Sequence, residues 1–412
     1  MKRAGTPPAG APDVPANASH RLLFLIGAAN LLLAMCWWAL WLIDARWQPL
    51  GMPQPAIPAG WLHAVVMLYQ VLASFVFGFL LTTFPRWMHL RPVDRRHQVP
   101  VAAGLLGGQL LTLAGSAVDA AGGMPLLELG ALLSVAGWSL GTVVLVRLVY
   151  LDGGRNWHAV SCAFALGFGL LGLMLYTAFL YRTDARLVFS AIKIGSIAVL
   201  LPICFTVCHR MIPHCLGAAL PADRAAGPTW VLAAFWALSV VHVWMELKHA
   251  YAWLWWIDLP FAILALWLLR RWWPRRRPMP PLVRMLLIGY AWLPLALALY
   301  AWQSLWYATR GAFVLGRGPA HALFIGFFSS LLVVLLARVT QGPATRPLTL
   351  APMAAYAFVV VQALAAMRVI AELIPDAQAW HAVAAVGWAL AFLPWIVRSG
   401  RIYLSPRIKR IP

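Results

Sequence analysis

Five histidines, His63, His242, His249, His321 and His381, carry the chemistry that this sequence offers most openly. Each lies at or beside an apolar block, and imidazole is the commonest neutral ligand of metals and haem. In helical bundles such sites are assembled from side chains on different facing helices. A haem or copper site therefore needs at least two of these residues to arrive from separate segments. The plainer alternative applies to each one alone: an imidazole at the end of an apolar segment hydrogen-bonds at the interface. For His242 and His249, beside Glu246 and Lys248 in a polar turn, that alternative is the stronger.

A second cluster gathers Cys204, Cys208, His209, Arg210, Pro213, His214 and Cys215. Thiolates and imidazoles at short spacing bind zinc or copper, but the spacing matches no zinc pattern. A haem-attachment Cys-x-x-Cys-His is absent, and buried cysteines acting as small apolar residues explain the cluster better. Ionisable residues within apolar blocks are functional suspects by default. Here they are Glu128, Lys193, Asp258, Arg368 and Glu372. Lys193 and Asp258 read either as a buried ion pair or as part of a proton path, with structure favoured. Arg368 and Glu372 stand four apart, the spacing at which helix residues pair. Arg338, Thr340, Gly342 and Arg346 form a polar stretch that suits an anionic group such as a haem propionate, since Arg binds carboxylates through two parallel hydrogen bonds. A solvated basic loop explains them equally well.

The elements that must hold these residues follow from composition. Of 412 residues, 62% are apolar and 11% charged, against about 45–50% and about 25% in soluble domains. Crossing a hydrocarbon core takes roughly 20 consecutive apolar residues. Twelve blocks of that kind lie near 22–43, 62–84, 99–118, 124–148, 157–181, 187–207, 229–245, 250–269, 281–302, 319–338, 348–373 and 379–399. In lipid, backbone groups must pair within the segment, so the blocks are expected to be helices. The expected fold is an all-α polytopic membrane bundle of about twelve helices. Residues 1–21 form a tail expected to be disordered, 22–399 a single transmembrane domain and 400–412 a basic tail. The first block, flanked by Arg21 and followed by no small-residue cleavage site, reads as a retained anchor.

The net charge of +20 is a topology signal. With twelve spans, 23 Lys and Arg fall on the side of the two termini, 6 on the opposite side and 3 within spans or at their edges. By the positive-inside rule both termini are cytoplasmic, which suggests a multi-pass protein of the cytoplasmic membrane in contact with the lipid bilayer. A nucleic-acid partner is excluded by the same count, because the basic residues line one membrane face. The five cysteines give no disulfide framework. The topology puts all five of the opening histidines on the outer side.

Taken in order, several blocks resemble the NnrS family, multi-span bacterial membrane proteins that bind haem and copper and belong to the response to nitric oxide. His321-Ala322-Leu323 through Arg338, Thr340, Gly342 and Arg346-Pro347-Leu348 resembles the family's most distinctive block. Gly60 to Trp87 resembles its second-span motif, Arg155-Asn156 the opening of span five, and Arg210-Met211-Ile212-Pro213 an Arg-x-Ile-Pro element. Gly289 to Leu293, Gly387 to Phe392 and Ser405-Pro406-Arg407 match later blocks.

The departures are equally specific. The family's His-Ala-His-Glu-Met reads His63-Ala64-Val65-Val66-Met67 here; Leu287 and Pro343 stand where the family has histidines. Valine, leucine and proline coordinate no metal. The resemblance thus implies a haem-binding membrane protein linked to nitric oxide, with the copper site lost or remodelled. His63 and His321 are the implied ligands, and Arg338, Arg346 and Arg210 the residues set aside for the cofactor's acidic groups. His242, His249 and His381 are the imidazoles that could substitute as ligands. A nitric oxide oxidoreductase is disfavoured by Val66 in place of the Glu. A twelve-span transporter for a small solute is the alternative.

Overall fold

The computed structural model describes residues 19–216, 227–274, 279–340 and 352–404. Among them there are helices and turns and no strand. The long helices are α1 (Ser19–Trp47), α2 (Ala59–Trp87), α3 (Arg95–Ser116), α4 (Ala120–Leu151), α5 (Trp157–Arg182) and α6 (Ala185–Leu216). They continue as α7 (Trp230–Leu247), α8 (Trp255–Trp272), α9 (Pro281–Arg310), α10 (318–340), α11 (Pro352–Ile370) and α12 (Ala377–Leu404). Eleven are long and apolar enough to cross a membrane. The twelfth, α8, carries three charged residues, Asp258, Arg270 and Arg271, within its 18 residues.

Chain direction alternates from helix to helix, so the bundle has two ends. The near face is where α1 starts and the far face is where it finishes. Several helices outrun the apolar blocks that announce them. α6 continues to Leu216, so Cys204 to Cys215 lie on a helix and not in a loop. α12 runs to Leu404 across the expected boundary at 399. Of the expected disordered tail, residues 1–21, the first 18 lie outside the described residues, as do 405–412, and the last three belong to α1.

Lipid supplies no hydrophobic drive between helices, so close packing and interhelical hydrogen bonds hold such bundles. Both devices are present. α3 and α4 approach backbone to backbone at Gly104, where an added Cβ would meet the Gly137 Cα at 2.7 Å. Beside them the Gln70 amide of α2 donates to Thr112 at 3.0 Å and to Ser134 at 3.1 Å. Gln109 donates to the Asn30 carbonyl at 2.6 Å, and so ties α3 to α1. The first and last helices pack along each other, and their far ends are joined by Arg46 on Asp376 at 2.9 Å. Leu129, Leu132, Leu140, Val143 and Val146 point outward from α4, as a lipid-facing surface requires.

Three helices contain π-helical turns: Met67–Val71 in α2, Ile194–Leu200 in α6 and Ala322–Ser329 in α10. Such turns occur often at functional sites. Here His63 precedes the first by four residues, while Lys193 and His321 immediately precede the other two.

Candidate functional site

Two groups of ionisable side chains mark the far face. The first surrounds the histidines of α2 and α10. His63 lies in the first turns of α2 with its ring stacked on Trp38 of α1, centroids 4.2 Å apart and planes 11° from parallel. Its Nδ1 is buried and has no hydrogen-bond partner. His321 ends the first turn of α10, and its Nδ1 donates to the Arg317 carbonyl at 2.9 Å. That bond fixes the tautomer and leaves Nε2 as the ring's acceptor, the arrangement commonly found in metal-bound histidines. The two imidazoles lie within electrostatic range of each other and of Arg368.

Arg368, near the end of α11, pairs with Glu372 at 2.5 Å, so the four-residue spacing does bring them together. Glu372 sits in the turn beyond the helix and also faces His381 Nε2 of α12 at 3.5 Å. Burial opposes ionisation of Glu372, but His381 and Arg368 more than offset it and hold its carboxyl down at about 2.

The second group is a chain of ionisable groups between α6, α7 and α8. Lys193 Nζ donates to Glu246 at 2.6 Å. The other Glu246 oxygen is 3.5 Å from His242 Nε2, and His242 Nδ1 is 2.5 Å from Asp258. His242 and Asp258 are fully buried and Glu246 is nearly so. The Tyr300 ring stands edge-on to His242 with centroids 5.6 Å apart. Lys193 and Asp258 are both ion-paired, though not with each other: Lys193 takes Glu246 and Asp258 takes His242. A cavity of about 260 Å³ opens beside this chain, with Lys193, Glu246, Tyr300, Gln303 and Arg317 in its wall.

The five histidines therefore share one face but occupy three settings. His63, His321 and His381 fall in the first group, and His242 lies between two carboxylates. His249 sits in the exposed turn after α7, where its Nδ1 is 2.9 Å from the Tyr251 hydroxyl. The turn places Tyr251 partly out of water and near Glu246, which raises its phenol above the ordinary value. Among the described residues no three His, Cys, Asp or Glu side chains converge as a metal-binding group.

Arg210 is brought to the opposite end. It follows Lys193 by 17 residues on α6, about 25 Å along a helix at 1.5 Å per residue. Its guanidinium lies 4.6 Å over the Trp87 ring and 3.4 Å from Asn156. Next to it His158 and His209 meet at 3.0 Å. Arg338 lies in the last turn of α10, also at the near face; its side chain and the whole of Arg346 are outside the described residues. The arginines that accompany His63 and His321 are instead Arg317 and Arg368. Arg317 reads in the sequence as one more loop charge, and only the turn before α10 brings it over Gly60, one helical turn from His63.

Val65, Val66 and Leu287, at positions where histidines and a glutamate of the resembled motifs would fall, are buried apolar residues. No curated protein matches the chain. Residues 16–407 match the family described as NnrS protein, nearly the whole of a polytopic helical membrane chain, and the protein therefore belongs to the NnrS family.

Proposed function

We propose that this NnrS family member is a haem-binding protein of a bacterial cytoplasmic membrane that takes part in the response to nitric oxide, with both termini cytoplasmic and without a closed copper site. The observation that carries the reading is the pair His63 and His321. They come from two helices to one end of the bundle, the first with an orphaned buried ring nitrogen and the second with its Nδ1 fixed on a carbonyl. This donor set fits haem, which needs one or two neutral imidazoles. His63 or His321, or both, would hold the iron; held by one of them, it would supply a centre that takes diatomic ligands. Trp38 fixes the ring plane of His63 and the Arg317 carbonyl sets the His321 tautomer. His381 stands in reserve on α12, engaged with Glu372. Val65, Val66 and Leu287 supply no donor atoms for a second metal, which supports leaving copper out. The 23-to-6 division of basic residues supports the orientation.

Purified protein from cells supplied with haem is expected to show a Soret band that is lost or shifted in His63→Ala and His321→Ala. A preparation without a Soret band, or one left unchanged by both substitutions, overturns the reading. A second reading, a permease for a small solute, is favoured by one observation: the cavity at the far face between α6, α7 and α9, with Lys193, Glu246 and Arg317 in its wall.

A further inference from the structure

The far-face cavity carries more information than its volume. Its wall contains three formal charges, and two of them, Lys193 and Glu246, neutralise each other at 2.6 Å. The third, Arg317, has no carboxylate partner among the described residues. Its charged and titratable neighbours, beyond the Lys193–Glu246 pair, are the Arg368–Glu372 pair and the imidazoles of His63 and His321. The wall thus offers one uncompensated positive charge, as a planar fork suited to two parallel hydrogen bonds with a carboxylate. Lys193, with one of its N–H groups on Glu246, keeps others for the same anion.

One further residue in the wall asks for the opposite kind of contact. Gln303 Oε1 is a buried acceptor without a hydrogen-bond partner, on a side chain that is 8% exposed, whereas both Glu246 oxygens are engaged, one by Lys193 and the other facing His242. A buried acceptor left unpaired costs free energy, so an occupant is favoured that brings at least one O–H or N–H. Gln303 is held in place by its own amide, which donates to the Gly316 carbonyl at 3.2 Å on the segment that also carries Arg317. The ring of Phe313 closes part of the wall, and the volume holds a solute of a few heavy atoms, not a macromolecular segment.

We propose that this cavity is a binding site for a carboxylate that also carries a hydrogen-bond donor, such as a small hydroxy acid, with Arg317 taking the carboxylate and Gln303 taking the donor. The site stands on the cavity and does not depend on the assignment of His63 and His321. A carboxylate can reach it from a free solute or from the propionate of a haem bound nearby.

The test is calorimetric titration of the purified, haem-free full chain in nanodiscs with lactate, acetate and choline. Lactate is expected to bind saturably, acetate about tenfold more weakly because it lacks the donor, and choline not at all. Arg317→Ala is expected to weaken lactate about tenfold or more, and Arg317→Lys less. Gln303→Leu is expected to narrow the preference for lactate over acetate. Arg317 is an exposed loop residue, so its variants are expected to elute and melt like the parent. Repeating the lactate titration on haem-loaded protein separates the sources: loss of binding identifies the carboxylate as a propionate, and retained binding identifies a free solute. Absence of saturable lactate binding, binding unchanged in Arg317→Ala, or preference for choline overturns the proposal. A Soret band lost in His63→Ala while lactate still binds separates its fate from that of the haem reading.

Discussion

His242 of α7 and Asp258 of α8 share a 2.5 Å hydrogen bond in a region where neither side chain touches solvent. Helices seven and eight are joined by a short turn, and this bond locks them together one to two turns inside the far face. A charged group placed there alone would be expensive. Removing one partner of a buried pair typically costs about 3–5 kcal/mol, because the other is left uncompensated. Asp258→Ala is therefore expected to lower the melting temperature in detergent by several degrees. The double variant Asp258→Ala with His242→Leu should lie closer to the parent than the sum of the single effects. A double-variant cycle that is additive would show that the two side chains do not stabilise each other.

The contrast between this bond and its surroundings shows what the sequence could convey. Apolar runs of roughly 20 residues reveal helices because lipid enforces that pattern in every span. Arg368 and Glu372 were legible as a pair because both partners sit four apart on one chain segment. Lys193 and Asp258 were legible as suspects because charge within an apolar run is rare, but their partners were not. Partner choice is set by helix rotation and by which helices are neighbours in space, and one chain's hydropathy records neither. Arg210 shows the same limit. A motif near a histidine block in a family pattern says nothing about distance through the bundle, and the arginine finishes at the other end. Arg317 and Gln303 carried no signal, being a loop charge and one polar residue in a long apolar helix.

The turn after α11 should respond to acid. Glu372 titrates at about 2 in the folded protein, against 4.5 for an ordinary glutamate. A depressed carboxyl contributes stability that is fully present above the unfolded value and disappears as pH falls through the folded one. The parent is thus expected to lose stability between about pH 4.5 and pH 2 through this residue. Glu372→Gln should be less stable than the parent at neutral pH and should show a flatter decline across that window. Melting curves in buffered detergent check this; parallel declines in parent and variant would refute it.

Arg317 should be separable from the fold. Its side chain is exposed and makes no ion pair among the described residues, whereas its carbonyl holds His321 and is untouched by side-chain substitution. Arg317→Ala is expected to melt within a degree or two of the parent, since surface substitutions usually change stability by less than about 0.5 kcal/mol. Gly60→Ala should also be mild, because the new Cβ would meet only the guanidinium tip at 3.3 Å, and that long side chain can yield. A large loss of stability in either variant would mean that Arg317 is a packing residue.

The crossing of α2, α5 and α6 makes the sharpest demand on side-chain size. Tyr69, in the π turn of α2, is fully buried and its hydroxyl donates to the Ala191 carbonyl of α6 at 2.6 Å. The hydroxyl reaches that carbonyl through space left by Gly172 of α5 and Gly195 of α6; a Cβ on Gly172 would collide with the phenol oxygen. Overpacking of this kind costs about 1–3 kcal/mol where the neighbour cannot move, and here the neighbour is pinned by its own hydrogen bond. Gly172→Ala is therefore expected to destabilise the protein clearly. Tyr69→Phe removes the colliding oxygen and its hydrogen bond together, so the double variant should recover part of the loss. Melting temperatures of the parent, the two single variants and the double variant decide the matter. If Gly172→Ala costs the same with Tyr69 intact as it does combined with Tyr69→Phe, the phenol oxygen is not what requires a glycine at that position.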